Sequence, residues 1–435
     1  MQVRVGAAKR VITPPPGLAM AGYALRTSSA TGTRDELHCR AVVLTDGATT
    51  LVLVVCDLLY ATRALTDHVR ERVGAALSIP AHHVMVCATH THAGPADLAT
   101  DAGEGLRTRL VAEIVAAVTE AAATARPASL VAGLRTVPGI SANRRTDAGP
   151  ADDTALVVTA YACGPPIEPI ATIMNFACHA TVLEPDTDRY SADFPGAVCD
   201  ALESSGAGIG VYLQGCAGDV NPVYVRRDEG ECARIGRILG AVGVQVALDG
   251  LGLLRGLRTI NPSWNEEFDA SLRSGTQVIR PDALHAAHVF VDVETAPVHR
   301  SIATPAQAPD RVQAAARSMR WIQDLRAEGN VFGCYDLPPG DRDRLEVQRF
   351  HLGANLDLVA LPGEPFQASA RAIRGGSAGT VLVAGYANQS PGYLPPAGEF
   401  AGPGYEVGCC QYEPGAAEAV DAAAIGLLPR RPGKR

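Results

Sequence analysis

The chain has 435 residues, of which 47% are hydrophobic and 19% charged, and its formal charge is -8. A chain of this length and composition can bury a large core. The net negative charge argues against a nucleic-acid or anionic-membrane partner, because both require a concentrated positive face. The basic run from Arg430 to Arg435 is the one exception, and a solvated terminus explains it.

The N-terminus and the cysteines indicate the compartment. Residues Met1–Gly6 lead straight into an alternating strand-like pattern, without the charged and apolar regions of an export signal. No apolar run approaches the roughly 18 residues needed to span a bilayer. The eleven cysteines are odd in number and scattered through apolar runs, which is typical of reduced, buried thiols. We therefore expect a soluble, cytoplasmic protein.

Short runs rich in Val, Ile and Leu alternate with Ala-rich segments of helical apolar spacing. The predicted strands are Thr50–Cys56, His83–Ala88, Ala155–Tyr161, Ala171–Phe176, Gly208–Leu213, Leu356–Leu361 and Thr380–Ala384. The predicted helices are Ala64–Leu77, Leu106–Ala125, Phe194–Ser204, Ala233–Leu248, Asp310–Glu328 and Glu364–Ile373. This order predicts an α/β fold of mixed β-sheets packed between helices.

We expect one catalytic domain over residues 1–430, followed by a basic tail over residues 431–435. The only candidate seam is Leu254–Ala308, rich in Arg, Ser and Pro. It contains the strand-like run Val289–Val293, so we assign it to irregular structure inside the domain.

Polar residues cluster where the predicted strands end, which is where α/β folds assemble their sites. These exits are Thr89–Pro95, Ala177–His179, Gln214–Pro222, Pro362–Glu364 and Gly385–Asn388. His90 and His92 are one residue apart on an extended segment, so both can face one small volume as half of a metal site. A structural or hydrogen-bonding role for the pair stays open, and spacing alone does not show that His179, Glu364 and Tyr393 converge on it.

Other catalytic classes leave no signature in the sequence. No G-x-S-x-G follows a strand, so a serine nucleophile of that type is not expected. Neither a phosphate-binding loop nor a G-x-G-x-x-G fingerprint is present.

A series of motifs resembles, in order, the catalytic domain of the neutral/alkaline, non-lysosomal ceramidases. Thr89–Pro95 resembles the family's T-H-T-H-S-G-P, and Phe176–His179 resembles its F-A-x-H. The remaining matches are Val5–Ala8, Ile12–Pro14, Met20–Ala24, Cys39–Ala41, Asp57, Asn143-Arg144, Ser191–Asp193, Gly218–Pro222, Pro362–Glu364 and the spacing of Tyr393, Glu399 and Tyr405-Glu406.

The resemblance implies one catalytic zinc per chain, held by two histidines, a glutamate and a tyrosine. These ligands fall on His90, His179, Glu364 and Tyr393. His92 then faces the substrate or supports the ligands. A zinc with such ligands can bind water, lower its pKa and polarise the scissile carbonyl.

The remaining candidate catalytic residues follow from that chemistry. Arg144, His92 and Tyr405 are candidates for stabilising the oxyanion, and His92 is the candidate for protonating the leaving amine. Asp219 either orients a loop beside the metal or touches the substrate. Asn221 stands where the family has an active-site serine, and an amide cannot serve as an acylated nucleophile.

Two departures from the family pattern argue against ceramide as the substrate. The chain ends soon after Tyr405-Glu406, where ceramidases continue into a C-terminal β-sandwich domain, and its aromatic content is only 5%. We predict a zinc-dependent hydrolase that cleaves an amide bond of a soluble N-acyl, lactam or peptide-like metabolite.

Several alternatives stay open. One is a true ceramidase acting on short-chain or soluble ceramides. Others are an ester or lactone hydrolase, an acyltransferase or a cyclase with the same zinc site, and a binding protein without catalysis. The expected partner is a small-molecule substrate, without nucleic acid or membrane insertion. Sequence leaves monomer and homodimer equally open.

Overall fold

The computed structural model describes residues 2–23, 26, 28–96, 98–99, 101–146, 151–256, 275–279, 283–296, 336, 340–402 and 404–429. Its strands are β1 Arg4–Val11, β2 Gly32–Thr33, β3 His38–Thr45, β4 Thr50–Cys56, β5 Val84–Ala88, β6 Arg126–Thr136, β7 Ser141–Asn143, β8 Thr154–Ala162, β9 Pro169–Phe176, β10 Arg189–Tyr190, β11 Ile209–Gln214, β12 Val220–Pro222, β13 Thr276–Ile279, β14 His285–Glu294, β15 Arg342–Gly353, β16 Leu356–Ala360, β17 Glu364–Pro365, β18 Thr380–Ala384 and β19 Tyr393–Leu394. Its α-helices are α1 Arg63–Leu77, α2 Glu104–Ala123, α3 Asp193–Ser204, α4 Glu229–Arg255, α5 Gln367–Gly376, α6 Tyr405–Cys409 and α7 Ala416–Leu427.

A large mixed sheet has the strand order β11-β9-β8-β6-β1-β3-β4-β5, with β13 paired to β6. Its middle pairs are antiparallel, whereas the pairs at its two edges, β9–β11 and β4–β5, are parallel. Each parallel edge is a βαβ unit, because α1 connects β4 to β5 and α3 connects β9 to β11.

The large sheet curls until its two edges meet. Strand β11 contacts both β4 and β5, although they lie at opposite ends of the strand order. The Gln214 side chain joins the edges, since its amide donates to Thr89 O over 3.2 Å and to Cys178 O over 2.7 Å. The loops that leave β5 and β9 therefore come together.

A second sheet has the strand order β14-β15-β16-β18. The polar segments that follow β16 and β18, Pro362–Glu364 and Gly385–Asn388, lie close to the loops that leave β5 and β9. Strands β16 and β18 are parallel, so the segments after both strands lie at one end of this sheet. Asn388 fastens that end to β5: its N–H donates to Val86 O over 2.8 Å, and its side-chain oxygen accepts from Val86 N over 3.0 Å.

Most of the predicted elements are present. All seven predicted strands correspond to observed strands within about two residues, and the α/β class with mixed sheets is confirmed. The predicted helix Asp310–Glu328 and the tail 431–435 lie outside the described residues. Strands β3, β6 and β15 were missed. Strand β15 carries buried Asp343 and Glu346, which pair with Arg63 and Arg70 of α1 over 2.9 and 2.7 Å and break the apolar pattern.

One helix start was predicted wrongly. The helix predicted at Glu364–Ile373 begins at Gln367, and Glu364 belongs to β17. Pro365 explains the difference, because proline disfavours helical backbone in the residue before it. The consequence matters for the site, since Glu364 is presented by an extended segment.

Helix α4 is longer than the predicted Ala233–Leu248. By length and composition it is the one helix of the described residues able to cross a membrane, which corrects the expectation that no such run exists. In the structure it packs closely on α3: a Cβ added at Gly236 or Gly240 would lie 2.4 Å from the Cβ of Ala197 or 2.5 Å from that of Ala201. The core helix of a globular protein meets the same criteria, so the length and composition of α4 are weak evidence for a membrane span.

A buried ion pair ties β3 to the exit of β4. Arg40 and Asp57 are 2% and 0% exposed, and Arg40 Nη1 lies 2.8 Å from Asp57 Oδ2. Asp57 also accepts from His38 N over 2.9 Å and from Thr89 Oγ1 over 3.2 Å. The pair therefore holds the exit of β4 against the exit of β5.

We expect Arg40→Ala to lower the free energy of unfolding by about 3–5 kcal/mol, because it leaves a buried carboxylate without its counter-charge. The control is Arg10→Ala on β1, which removes an exposed ion pair with Glu120 and should cost about 1 kcal/mol or less. Urea unfolding at neutral pH measures both. Equal losses in the two variants would contradict the role given to the Arg40–Asp57 pair.

Candidate metal centre and active site

Three histidines and a glutamate meet where the two sheets join. Ring nitrogens of His90, His92 and His179 lie within 4.8 Å of one another. Glu364 Oε2 lies 3.4 Å from His90 Nε2 and 3.3 Å from His179 Nε2. His90, His179 and Glu364 are at most 1% exposed, whereas His92 is partly exposed. The group could hold a metal ion.

Local backbone geometry produces this convergence. His90 follows β5 and has a left-handed backbone conformation (φ 64°). Just before it, Ala88 N donates a hydrogen bond to Tyr386 O, which holds the end of β5 in place. A parallel bridge between Thr91 and Ala180 joins the two histidine loops. Strands β17 and β19 pair in parallel with Glu364 opposite Tyr393, so the predicted carboxylate and phenol ligands are direct neighbours.

Backbone carbonyls fix the protonation of two of the rings. His90 Nδ1 lies 2.9 Å from Leu59 O, and His179 Nδ1 lies 2.7 Å from Ala217 O. A carbonyl only accepts hydrogen bonds, so each Nδ1 carries the proton and each Nε2 presents a lone pair to the centre. Metal-binding histidines are held in this way.

The glutamate is held just as specifically. Tyr60 donates its hydroxyl to Glu364 Oε1. Glu364 Oε2 is buried and accepts no well-aligned hydrogen bond from the described residues. Two imidazole lone pairs and a carboxylate oxygen thus face one another away from water, an arrangement that a bound cation stabilises.

His92 differs from the other two histidines. Its Nε2 lies 3.1 Å from His90 Nε2, but within the described residues its buried Nδ1 has no hydrogen-bond partner. It therefore lacks the carbonyl that orients His90 and His179. Burial, and then His90 and His179, lower the pKa of His92 well below its usual range, so the ring is neutral at physiological pH.

Arg144 organises one side of the centre. Its guanidinium donates to Glu406 Oε1 over 2.7 Å, to Gly218 O over 2.8 Å and to Tyr393 Oη over 3.1 Å. It also donates to Asn221 Oδ1 over 3.2 Å and lies 3.4 Å from His179 Nε2. Four of its five N–H groups face protein acceptors, so these contacts hold the guanidinium beside the site. Burial, and then Arg144, lower the pKa of His179 to about 4.

Asp219 and Asn221 both lie beside Arg144. The carboxylate of Asp219 accepts from Gln367 N over 2.8 Å, Gln367 Nε2 over 3.0 Å and Asn143 Nδ2 over 2.7 Å, which is a loop-orienting role. Asn221 turns its oxygen towards Arg144, so its amide N–H groups point elsewhere. Arg144 and Asn221 are both partly exposed.

Tyr405 lies at the start of α6, and its ring centroid is 5.8 Å from that of Tyr393. Burial raises its pKa well above the usual range, so the hydroxyl keeps its proton.

Sequence reasoning missed two residues that shape the site. Tyr60 reads as a core aromatic because it stands in an apolar run. Gly22 has a φ of 102°, and a Cβ there would lie 2.6 Å from the ring of His92. The motif Met20–Ala24 marked the position of this glycine but did not reveal its contact.

Comparison with known proteins agrees with this geometry. Residues 3–210 match the sequence model described as neutral/alkaline non-lysosomal ceramidase, N-terminal. The N-terminal part of the chain is thus similar to the neutral/alkaline ceramidase family. Proteins of that family are hydrolases. No curated protein matches it significantly.

Solved structures extend the likeness over the whole chain. The neutral ceramidase from Pseudomonas aeruginosa superposes with a TM-score of 0.73 at 20% identity, covering 100% of this chain and 76% of that one. A ceramidase complexed with C2 gives a TM-score of 0.74 at 20% identity, covering 100% of this chain and 77% of that one. At this identity the superpositions establish the shared fold.

Metal content tests the centre directly. We expect about one zinc per chain in protein purified without chelator, and loss of that zinc in His179→Ala, because one of the converging lone pairs is removed. His68→Ala, on the exposed face of α1, is the matched control and should keep the ion. Elemental mass spectrometry measures all three. A folded wild-type protein without metal would rule out the centre.

Proposed function

We propose that this ceramidase-like hydrolase is zinc-dependent and cleaves an amide bond in a soluble N-acyl, lactam or peptide-like metabolite. The convergence of His90 Nε2, His179 Nε2 and the unpartnered Glu364 Oε2 carries the proposal. With Tyr393, which lies opposite Glu364, these residues would hold one zinc per chain. When bound there, zinc supplies Lewis acidity that polarises the scissile carbonyl and makes water a better nucleophile.

His92 is the proposed proton carrier. It is neutral and lies beside the centre, so its ring can accept the proton that the attacking water loses. The imidazolium formed then protonates the leaving nitrogen from the same side. Arg26 fixes the backbone of this histidine by donating to His92 O over 2.7 Å.

Two donors are proposed for the developing oxyanion. Four of the five N–H groups of Arg144 are used by other protein acceptors, whereas the Asn221 amide and the protonated Tyr405 hydroxyl each have a donor to offer. Arg144 supports this arrangement by holding Asn221 Oδ1 and thereby aiming its N–H groups. Donors placed before the reaction starts stabilise the oxyanion without a cost of reorganisation.

A true ceramidase is the second candidate, and one observation favours it. Val223, Tyr224 and Val225 follow Asn221-Pro222 in the chain and are 42%, 42% and 88% exposed. Apolar side chains beside the site suit a substrate with an alkyl chain. The soluble substrate is supported by the low aromatic content of the chain.

We also propose a cytoplasmic location. Nine of the ten described cysteines are buried, which is typical of thiols in a reducing compartment.

The substrate class is tested by turnover of zinc-loaded enzyme. We expect saturable cleavage of small N-acyl amino acids and little turnover of a fluorescent short-chain ceramide. Fast, saturable cleavage of the ceramide would replace the proposed substrate with the second candidate. Activity on neither, with zinc bound, would favour the ester, lactone or acyl-transfer alternatives.

Asn221→Ala should lower kcat about 10²–10³-fold if the amide stabilises the oxyanion, because that is the usual effect of losing one such donor. Zinc content and melting temperature should stay at wild-type values. Asn221→Ser keeps a donor and should lose less. Initial-rate kinetics on the best substrate decide the matter, and an unchanged kcat in Asn221→Ala would remove Asn221 from the oxyanion site.

A further inference from the structure

The segment that leaves β4 supports two of the proposed ligands at once. Leu59 O accepts from His90 Nδ1 over 2.9 Å, and the next residue, Tyr60, donates its hydroxyl to Glu364 Oε1. His90 lies in the loop after β5 of the large sheet, whereas Glu364 lies in β17, far along the chain. Two consecutive residues therefore orient ligands that the fold brings in from opposite parts of the chain.

We propose that Tyr60 is a positioning residue for the metal centre, one that sets the orientation of the Glu364 carboxylate. The inference rests on the proposed zinc site. By occupying Oε1, the Tyr60 hydroxyl leaves Oε2 as the oxygen that faces His90 and His179. Glu364 would then offer a bound ion one oxygen, Oε2, and not both.

Tyr60 is well fixed for this task. It is 4% exposed, and its ring lies 5.2 Å from that of His90 and 6.5 Å from that of Tyr386. The segment is anchored at its start by Asp57, whose carboxylate binds Arg40 and Thr89 inside the core. A rigid donor costs little entropy when it orients a carboxylate.

Tyr386 provides an internal comparison. It is 0% exposed, and its ring lies 4.1 Å from that of His90, closer than the ring of Tyr60. Its hydroxyl has no hydrogen-bond partner within the described part of the chain. Two buried tyrosines thus flank the same ligand, and only one of them donates to the carboxylate.

The experiment compares Tyr60→Phe with Tyr386→Phe, since each removes one oxygen from a buried ring beside His90. Zinc affinity is measured by competition with a chromophoric chelator, and Co²⁺ absorption spectra report the coordination number. We expect Tyr60→Phe to weaken zinc binding about 10–100-fold, the usual effect of losing a hydrogen-bond partner of a metal ligand. Its Co²⁺ bands should weaken as Glu364 becomes free to bind through both oxygens. Tyr386→Phe should match the wild type in both measurements.

The outcomes separate this inference from the proposed function. A wild-type protein that binds no zinc would sink the proposed function itself. If the wild type binds zinc and Tyr60→Phe has the same zinc affinity and the same Co²⁺ spectrum, only the role of Tyr60 is overturned. Equal losses in both variants would also overturn it, because they would show a general packing effect. If Tyr60→Phe folds only with zinc bound, a chelator is titrated into the zinc-loaded variant. A zinc dissociation constant equal to that of the wild type would again overturn the proposal.

Discussion

The curl of the large sheet is the constraint on which the site depends. His90 and His179 lie in the loops that follow β5 and β9. In the strand order of the sheet, β5 is at one edge and β9 is next to the opposite edge, so five strands lie between them. Only because β11 reaches β4 and β5 do the two loops touch, and Gln214 bonds to both of them. The second sheet then adds Glu364 and Tyr393 from its own parallel end. The four proposed ligands are thus presented by strand exits from both sheets, which fixes them better than one flexible loop could.

Much of this arrangement is visible in the sequence and some of it is not. His90, His179 and Glu364 can be found because each follows a buried apolar run, where α/β folds place polar groups. Tyr60 follows β4 in the same way, but a tyrosine beside Leu58 and Leu59 looks like core. Its role depends on a contact across 304 positions of sequence, which no local pattern encodes. The curl is equally hidden, since it arises from contacts between edge strands and not from the strands themselves.

Buried charge explains why strands β3 and β15 were missed. Strands β3 and β15 contain Arg40, Asp343 and Glu346, and charged residues at such positions usually indicate a solvent face. Here each is paired inside the protein, so the residues are buried although the sequence reads as polar. Pairing of this kind is a fold-level property, because the partners come from other elements. The Arg40–Asp57 pair also shows that such charges can serve the site, since Asp57 holds Thr89 next to His90.

The electrostatics around Arg144 connect the fold to the chemistry. A guanidinium 3.4 Å from His179 Nε2 opposes protonation of that ring, which is also buried, so its lone pair stays available at neutral pH. The same guanidinium donates to Tyr393 Oη and opposes the rise in the pKa of Tyr393, but burial outweighs it and the pKa lies well above its usual range. Glu406 balances the charge of Arg144 at 2.7 Å and is shared with Arg145 over 2.6 Å. Arg144 thus lies against two of the proposed ligands, His179 and Tyr393, and links them to Glu406 and Asn221.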